Sequence, residues 1–137
     1  MIRSYLDADY GKLKEMYQHR EWYGGVFDEA RDGRERLAQK IADDPEAILV
    51  YEENGELVGT ISIIEDGRVA MLLRFVVKDN DAKISEELYE KTVKILKSRG
   101  HSQLLVYSEA GNSELDNRYI SLGLTKGNNY TCFWTNL

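Results

Sequence analysis

The sequence predicts one α/β domain, of the α+β type, built around a mixed central sheet. Three observations predict it. Two hairpin signals, Asn54-Gly55 and Asp66-Gly67, separate apolar runs of strand period; Asn-Gly suits a type I′ turn, which needs φ > 0 at both central residues. A strand–helix–strand unit at 69–107 joins two parallel strands by a right-handed crossover. Two helical stripes come before the hairpins, one after Asp9 and one at 30–43. Antiparallel hairpins followed by a parallel pair make the sheet mixed.

The elements follow in order. Residues 2–5 read as a short strand. Asp7 or Asp9 caps a helix whose stripe is Leu13, Met16, Tyr17 and Arg20. An aromatic, glycine-containing loop runs from Glu21 to Phe27. The helix at 30–43 turns Leu37, Ala38 and Ile41 inward and stops at Asp44-Pro45, because the residue before proline disfavours the helical region. Ala47 to Glu52 and Leu57 to Ile64 are hairpin strands. Arg68 to Val77 is apolar on both faces, as a central strand is. Residues 85–99 return to helical period with Leu88, Thr92, Ile95 and Leu96; Ser85 is the expected N-cap, and Gly100 closes the helix. Gln103 to Tyr107 is a buried strand. A short helix covers Ser113 to Leu122 and stops at Gly123. Tyr130 to Thr135 is a last strand, with Tyr130, Cys132 and Trp134 on one face. The predicted order is β-α-α-β-β-β-α-β-α-β.

A length of 137 residues suits one domain over 1–137. The 42% hydrophobic and 31% charged content is that of a globular protein. The formal charge of −6 argues against a nucleic-acid partner, since phosphate affinity needs a cationic face, and mildly favours cationic or amine-bearing ligands. The longest apolar runs, Ile61 to Ile64 and Val69 to Leu73, are far short of a membrane span. Met1-Ile2-Arg3 leads into a strand and not into a secretory core, so no targeting segment is expected. Cys132 is the single cysteine, which excludes an internal disulfide and suggests a reducing, cytoplasmic setting. It reads as a buried strand thiol. His19 and His101 are isolated, and no metal-ligand spacing is present.

The most specific local pattern is Asn112-Ser-Glu-Leu115-Asp-Asn-Arg-Tyr119-Ile-Ser-Leu-Gly123-Leu124. It resembles the Asn-x-x-Ala-x-x-x-Tyr-x-x-x-Gly-Phe segment of the GNAT superfamily of acyl-CoA-dependent N-acetyltransferases. The element order resembles that family over nearly the whole chain, and Ile2-Arg3 with the acidic helix entry at Asp9 resembles its start. The resemblance implies a GNAT-like fold, acetyl-CoA as acyl donor and an amine of a small molecule or protein as acceptor. It implies Tyr119 as the general acid at the thioester sulfur and Asn112 as a coenzyme contact. The backbone of Phe75, Val76 and Val77 would face the thioester. Lys83, Ile84 and Ser85 would lie near the pyrophosphate. Glu21, Trp22, Tyr23 and Phe27 would line the acceptor pocket. The family's frequent dimers leave room for a homodimer.

The chain departs from the family's pattern in two places. The family's pyrophosphate loop, Arg/Gln-x-x-Gly-x-Gly/Ala, offers successive backbone N–H groups at a helix N-terminus. The matching stretch, Val77-Lys-Asp-Asn-Asp-Ala-Lys-Ile84-Ser85, is about two residues shorter, carries Asp79 and Asp81, and has no glycine; none occurs between Gly67 and Gly100. The strand where many relatives carry a glutamate has none at Val69 to Phe75, leaving Glu21, Glu65, Glu109 or a water path to deprotonate the amine. The alternative is a non-catalytic GNAT-like module that binds a ligand or a protein.

Plainer roles stand beside these. Asn112 can be a helix cap, Tyr119 a core-edge tyrosine, and Trp22, Tyr23 and Phe27 buried anchors of a loop. Arg31, Arg34, Arg36 and Lys40, interleaved with Asp32 and Glu35, read as a solvated helix face.

Overall fold

The computed structural model describes residues 1–22 and 26–137. Among the described residues five strands form one sheet in the order β1-β2-β3-β4-β5: β1 Ile2–Ser4, β2 Ile48–Glu53, β3 Glu56–Glu65, β4 Ala70–Val77 and β5 Leu105–Val106. The first three pairings are antiparallel and β4–β5 is parallel. The sheet is mixed, as expected. Helices α1 (Tyr10–Gln18), α2 (Glu29–Asp32) and α3 (Arg34–Asp43) come before β2; α4 (Ala82–Ser98) connects β4 to β5; α5 (Ser113–Ser121) follows. Among the described residues no helix is long and apolar enough to cross a membrane.

Both faces of the sheet are buried, because β2 alternates its side chains between two cores. Ile48 and Val50 join Tyr5, Leu13, Met16, Tyr17 and Leu37 on the α1/α3 side. Leu49 and Tyr51 join Ile61, Ile63, Leu88, Ile95 and Leu96 on the α4 side. Gly59 lets α4 sit close to the sheet: a Cβ there would meet Ile84 Cγ2 and Leu88 Cδ1 at 2.8 Å.

A bulge interrupts β4. Thr60 pairs with Val76 and Ser62 with Leu73, so Ile61 alone opposes both Arg74 and Phe75. Arg74 takes φ 50°, in the left-handed region. The extra residue reverses the alternation. Ala70 and Leu72 face α4 before the bulge, and Phe75 and Val77 face the same core after it.

The structure corrects several expectations. The helix at 30–43 is two helices, broken at Gly33, whose backbone is extended (φ −65°, ψ 151°). Helix α4 starts three residues earlier than expected. Its N-cap is Asp81, whose carboxylate accepts from Ile84 N at 3.0 Å, so Ser85 is not the cap; Asp81 offers the same acceptor chemistry one turn sooner. The strand expected at 103–107 is only Leu105–Val106, half-buried at the edge. The strand expected at 130–135 does not form: residues 125–137 have no regular structure and are exposed. Cys132 is therefore an exposed thiol and not a buried one.

Candidate active site

The parallel ladder between β4 and β5 holds only Met71 with Leu105 and Leu72 with Val106. Beyond Leu72 the strands part, and the bulge turns the β4 backbone. From Leu73 to Val77 the β5-facing edge of β4 has no strand partner among the described residues. Unpaired backbone amides on a strand edge are donors in want of an acceptor. The opening is a small cleft of about 230 Å³. Leu72 to Phe75 form one wall and Val106 to Glu109 the other, with Leu115 and Tyr119 of α5 across the end.

Tyr119 lines the cleft from α5 and is half-buried. Its hydroxyl makes no hydrogen bond among the described residues. Burial pushes its pKa above the ordinary tyrosine value, and the adjacent Arg118 charge pulls weakly the other way. It therefore holds its proton at neutral pH. Helix α5 forms because Asn112 caps it: Asn112 Oδ1 accepts from Leu115 N at 3.2 Å. The plainer role of Asn112 is thus realised, and its amide nitrogen is left over for another acceptor.

Phe75 lines the cleft, whereas the Val76 and Val77 side chains are fully buried and can offer only backbone. At the start of α4, Ile84 N donates to the Asp81 carboxylate, and Ser85 donates to Asp81 O through its backbone (3.0 Å) and its hydroxyl (2.8 Å). The amides of Ala82 and Lys83 are the first-turn donors not committed in this way, and Lys83 extends into solvent, 3.9 Å from Glu87. The preceding 3-10 turn, Lys78–Asn80, holds Asp79 at φ 54° and Asn80 at φ 52°. Asp and Asn are the non-glycine residues that best tolerate this conformation. The loop therefore makes its left-handed turn without glycine.

The expected acceptor residues divide. Glu21 is exposed and bonded to His19 Nδ1 at 2.8 Å; that bond holds its carboxyl below the usual range. Trp22 stacks on His19 with ring centroids 3.9 Å apart. Phe27 lies under Lys14, and both Phe27 and Trp22 are partly buried against the α1/α3 core. Tyr23 lies outside the described residues. Glu65 sits at the other end of the sheet, binding His101 at 2.7 Å and Arg99 at 3.2 Å. Among the described residues Glu109 is the carboxylate that lines the cleft.

The structure also brings in residues that sequence reasoning passed over. Arg74, at the bulge, lines the cleft and is gripped by Asp32 at 2.9 and 2.7 Å. Asp32 is 2% exposed, so it is not part of the solvated helix face. The signal was Arg74 itself, the single charge in the run Val69 to Val77. Arg118 lays its guanidinium on Phe75, 3.8 Å from the ring centroid, and donates to Trp22 O at 3.3 Å. It thereby ties α5 to the loop after α1. Its Nε and Nη2 are buried without a partner among the described residues, and that burial lowers its pKa.

No protein-family model and no curated protein matches the chain. Solved structures do. A PaiA N-acetyltransferase from Thermoplasma acidophilum in complex with coenzyme A is 22% identical, with 88% of this chain and 86% of that chain covered and a TM-score of 0.76. Ard1 from Thermoplasma volcanium is 17% identical, covering 90% and 80%, with a TM-score of 0.74. A glucosamine-6-phosphate N-acetyltransferase from Arabidopsis thaliana is 19% identical, covering 99% and 98%, with a TM-score of 0.72. At this identity the likeness is one of fold.

Proposed function

We propose that this chain, whose fold is that of the GNAT acetyltransferases, moves an acetyl group from acetyl-CoA to an amine of a small molecule or protein. The observation that carries the reading is the cleft where β4 parts from β5 at a bulge, with the free hydroxyl of Tyr119 across it. The residues present fit a thioester there. The open edge of β4 supplies backbone donors for a carbonyl oxygen, and Asn112 Nδ2 and the Ala82 and Lys83 amides remain for the rest of the coenzyme. When bound, acetyl-CoA supplies an activated acyl carbon.

The chain's own groups then act as follows. Backbone N–H of β4 holds the charge that develops on the carbonyl oxygen as the amine nitrogen bonds to the acyl carbon. Tyr119 gives its proton to the sulfur as the carbon–sulfur bond breaks. Glu109, or water beside it, takes the proton that the amine nitrogen loses, and solvent returns a proton to Tyr119. Arg118, fixed between Phe75 and the Trp22 carbonyl, holds α5 against the acceptor loop.

The test is Tyr119→Phe, assayed by release of free thiol from acetyl-CoA with a panel of amines. Turnover falls by roughly 10²–10⁴-fold while coenzyme affinity stays the same. Unchanged turnover would remove Tyr119 from the mechanism. A second reading, a non-catalytic ligand- or protein-binding module, is favoured by one observation: Asp79 and Asp81 flank the start of α4, and Asp81 already occupies the Ile84 amide. Thiol release that no amine stimulates would favour this second reading.

A further inference from the structure

Helix α5 sets a cation beside the cleft that no anion answers among the described residues. The Arg118 guanidinium sits over the Phe75 ring, 3.8 Å from its centroid, and 5.9 Å from that of Tyr119. Both rings line the cleft. A guanidinium is planar, so with its face on an aromatic ring its N–H donors point outward in that plane. Nη1 donates to Trp22 O at 3.3 Å. Nε and Nη2 form the other edge. They are buried and meet no acceptor among the described residues. Buried donors without partners are rare, and a charged one is the costliest to leave bare. Elsewhere in the chain this same edge is filled by one carboxylate. Arg3 closes it on Glu52, Arg34 on Asp7, Arg68 on Asp66 and Arg74 on Asp32. The Nε and Nη2 donors are the fork that matches a carboxylate. Arg118 keeps the fork and lacks the acid.

We propose that the Nε/Nη2 edge of Arg118 receives a carboxylate of the acceptor, so that the acceptor is an amine carrying a carboxylate a few bonds from its nitrogen, as an amino acid does. That the ligand is an acceptor rests on the acetyltransferase reading above. Three placements favour the acceptor over a phosphate of the coenzyme. Arg118 adjoins Tyr119, whose ring is 5.9 Å from the guanidinium, so the charge lies close to the reacting atoms. Its Nη1 is tied to Trp22, in the loop after α1, and not to the start of α4. Glu109 lines the facing wall of the cleft. A zwitterion there meets the opposite charge at each end, ammonium toward Glu109 and carboxylate toward Arg118. The neighbouring cation, Arg74, is already engaged by Asp32. The Arg118 edge is closed to solvent in the structure, but the turn Arg20–Trp22 beside it is lightly held. Arg118 Nη1 to Trp22 O and Asn80 Nδ2 to Glu21 O are both 3.3 Å, longer than the usual N–H···O distance of about 2.9–3.0 Å. A shift of that turn opens the edge as the carboxylate enters.

Calorimetric titration of the full chain with glycine, leucine and phenylalanine, each against its carboxamide, reads the site without turnover. The best-bound acid is expected to bind about ten- to hundredfold tighter than its amide, the worth of a charge-assisted pair. The same ratio is expected in kcat/KM for thiol release from acetyl-CoA. Arg118→Met removes the fork and brings the ratio near one. Arg118→Lys keeps the charge without the fork and falls between. Equal binding of acid and amide across the wild-type panel overturns the proposal, and that result needs no variant to fold. A preference that persists in Arg118→Met also overturns it. So does a loss of coenzyme A affinity in Arg118→Met, which would assign the edge to a coenzyme phosphate. Preferential binding of the acids with no thiol release supports the carboxylate receptor and overturns the acetyltransferase reading. Thiol release without preference for the acids does the reverse.

Discussion

Asp32→Ala removes the carboxylate that grips Arg74. The pair is 11% and 3% exposed at its side chains, with two hydrogen bonds of 2.9 and 2.7 Å. Asp32 also accepts from Asp28 N at 2.9 Å. Removing one partner of a buried ion pair costs about 3–5 kcal/mol, because the charge left behind is poorly solvated. Against a total stability of roughly 5–15 kcal/mol this is a large loss. With a urea slope of about 2 kcal/mol/M it lowers the unfolding midpoint by about 2 M. A double-mutant cycle separates the pair from other effects. Arg74→Met keeps the stem and removes the charge, and Asp32→Ala/Arg74→Met leaves no unbalanced guanidinium. The two single losses then exceed the double loss by about 2–3 kcal/mol. The lost Asp28 contact is common to both arms and cancels. Additivity within ~0.5 kcal/mol would refute the view that this pair pins the bulge.

Other outcomes follow from the same structure. Gly59→Ala forces Ile84 and Leu88 of α4 away from the sheet and lowers stability by about 1–3 kcal/mol in urea unfolding. Asp79→Gly removes a negative charge and suits φ 54°. It tightens coenzyme A binding by roughly five- to tenfold in calorimetry, the equivalent of ~1 kcal/mol of charge repulsion, and unchanged affinity would place the pyrophosphate elsewhere. Asp9, held low by Arg3, and Asp44, held low by Arg99, lie below their ordinary value of 3.8. Their folded pKa values are depressed, so their contribution is complete above the unfolded value and lost as pH falls through the folded values. Thermal midpoints should hold near neutrality and drop below about pH 4; a flat acid limb would contradict these pairings.

Much of the sheet was legible because its signals are local. Asn54-Gly55 makes its turn with Asn54 at φ 51° and Gly55 at φ 79°, and the apolar period places β2, β3 and β4 on their own. The site was partly legible. The Asn112-to-Tyr119 spacing brings Tyr119 to the cleft, since a cap and a side chain two turns on share one short helix. The Asp32–Arg74 pair joins residues 42 apart, and no local pattern encodes it. Nor did any sequence signal announce the bulge, because Arg74 adopts a conformation usually marked by glycine. The start of α4 was misplaced because Ser85 and Asp81 are both good caps, and the tertiary seat of Ile84 and Leu88 on Gly59 decides between them. The segment at 130–135 has the composition of a strand but pairs with no strand among the described residues, and a pairing partner is not written in a strand's own period.

Isothermal titration of the full chain with acetyl-CoA tests the central claim most directly, since every catalytic role assigned to Tyr119 and to the open edge of β4 presumes that the thioester enters the cleft. Saturable one-to-one binding is expected, weakened by salt because the coenzyme is anionic and preserved in Tyr119→Phe. No heat at millimolar coenzyme would contradict it.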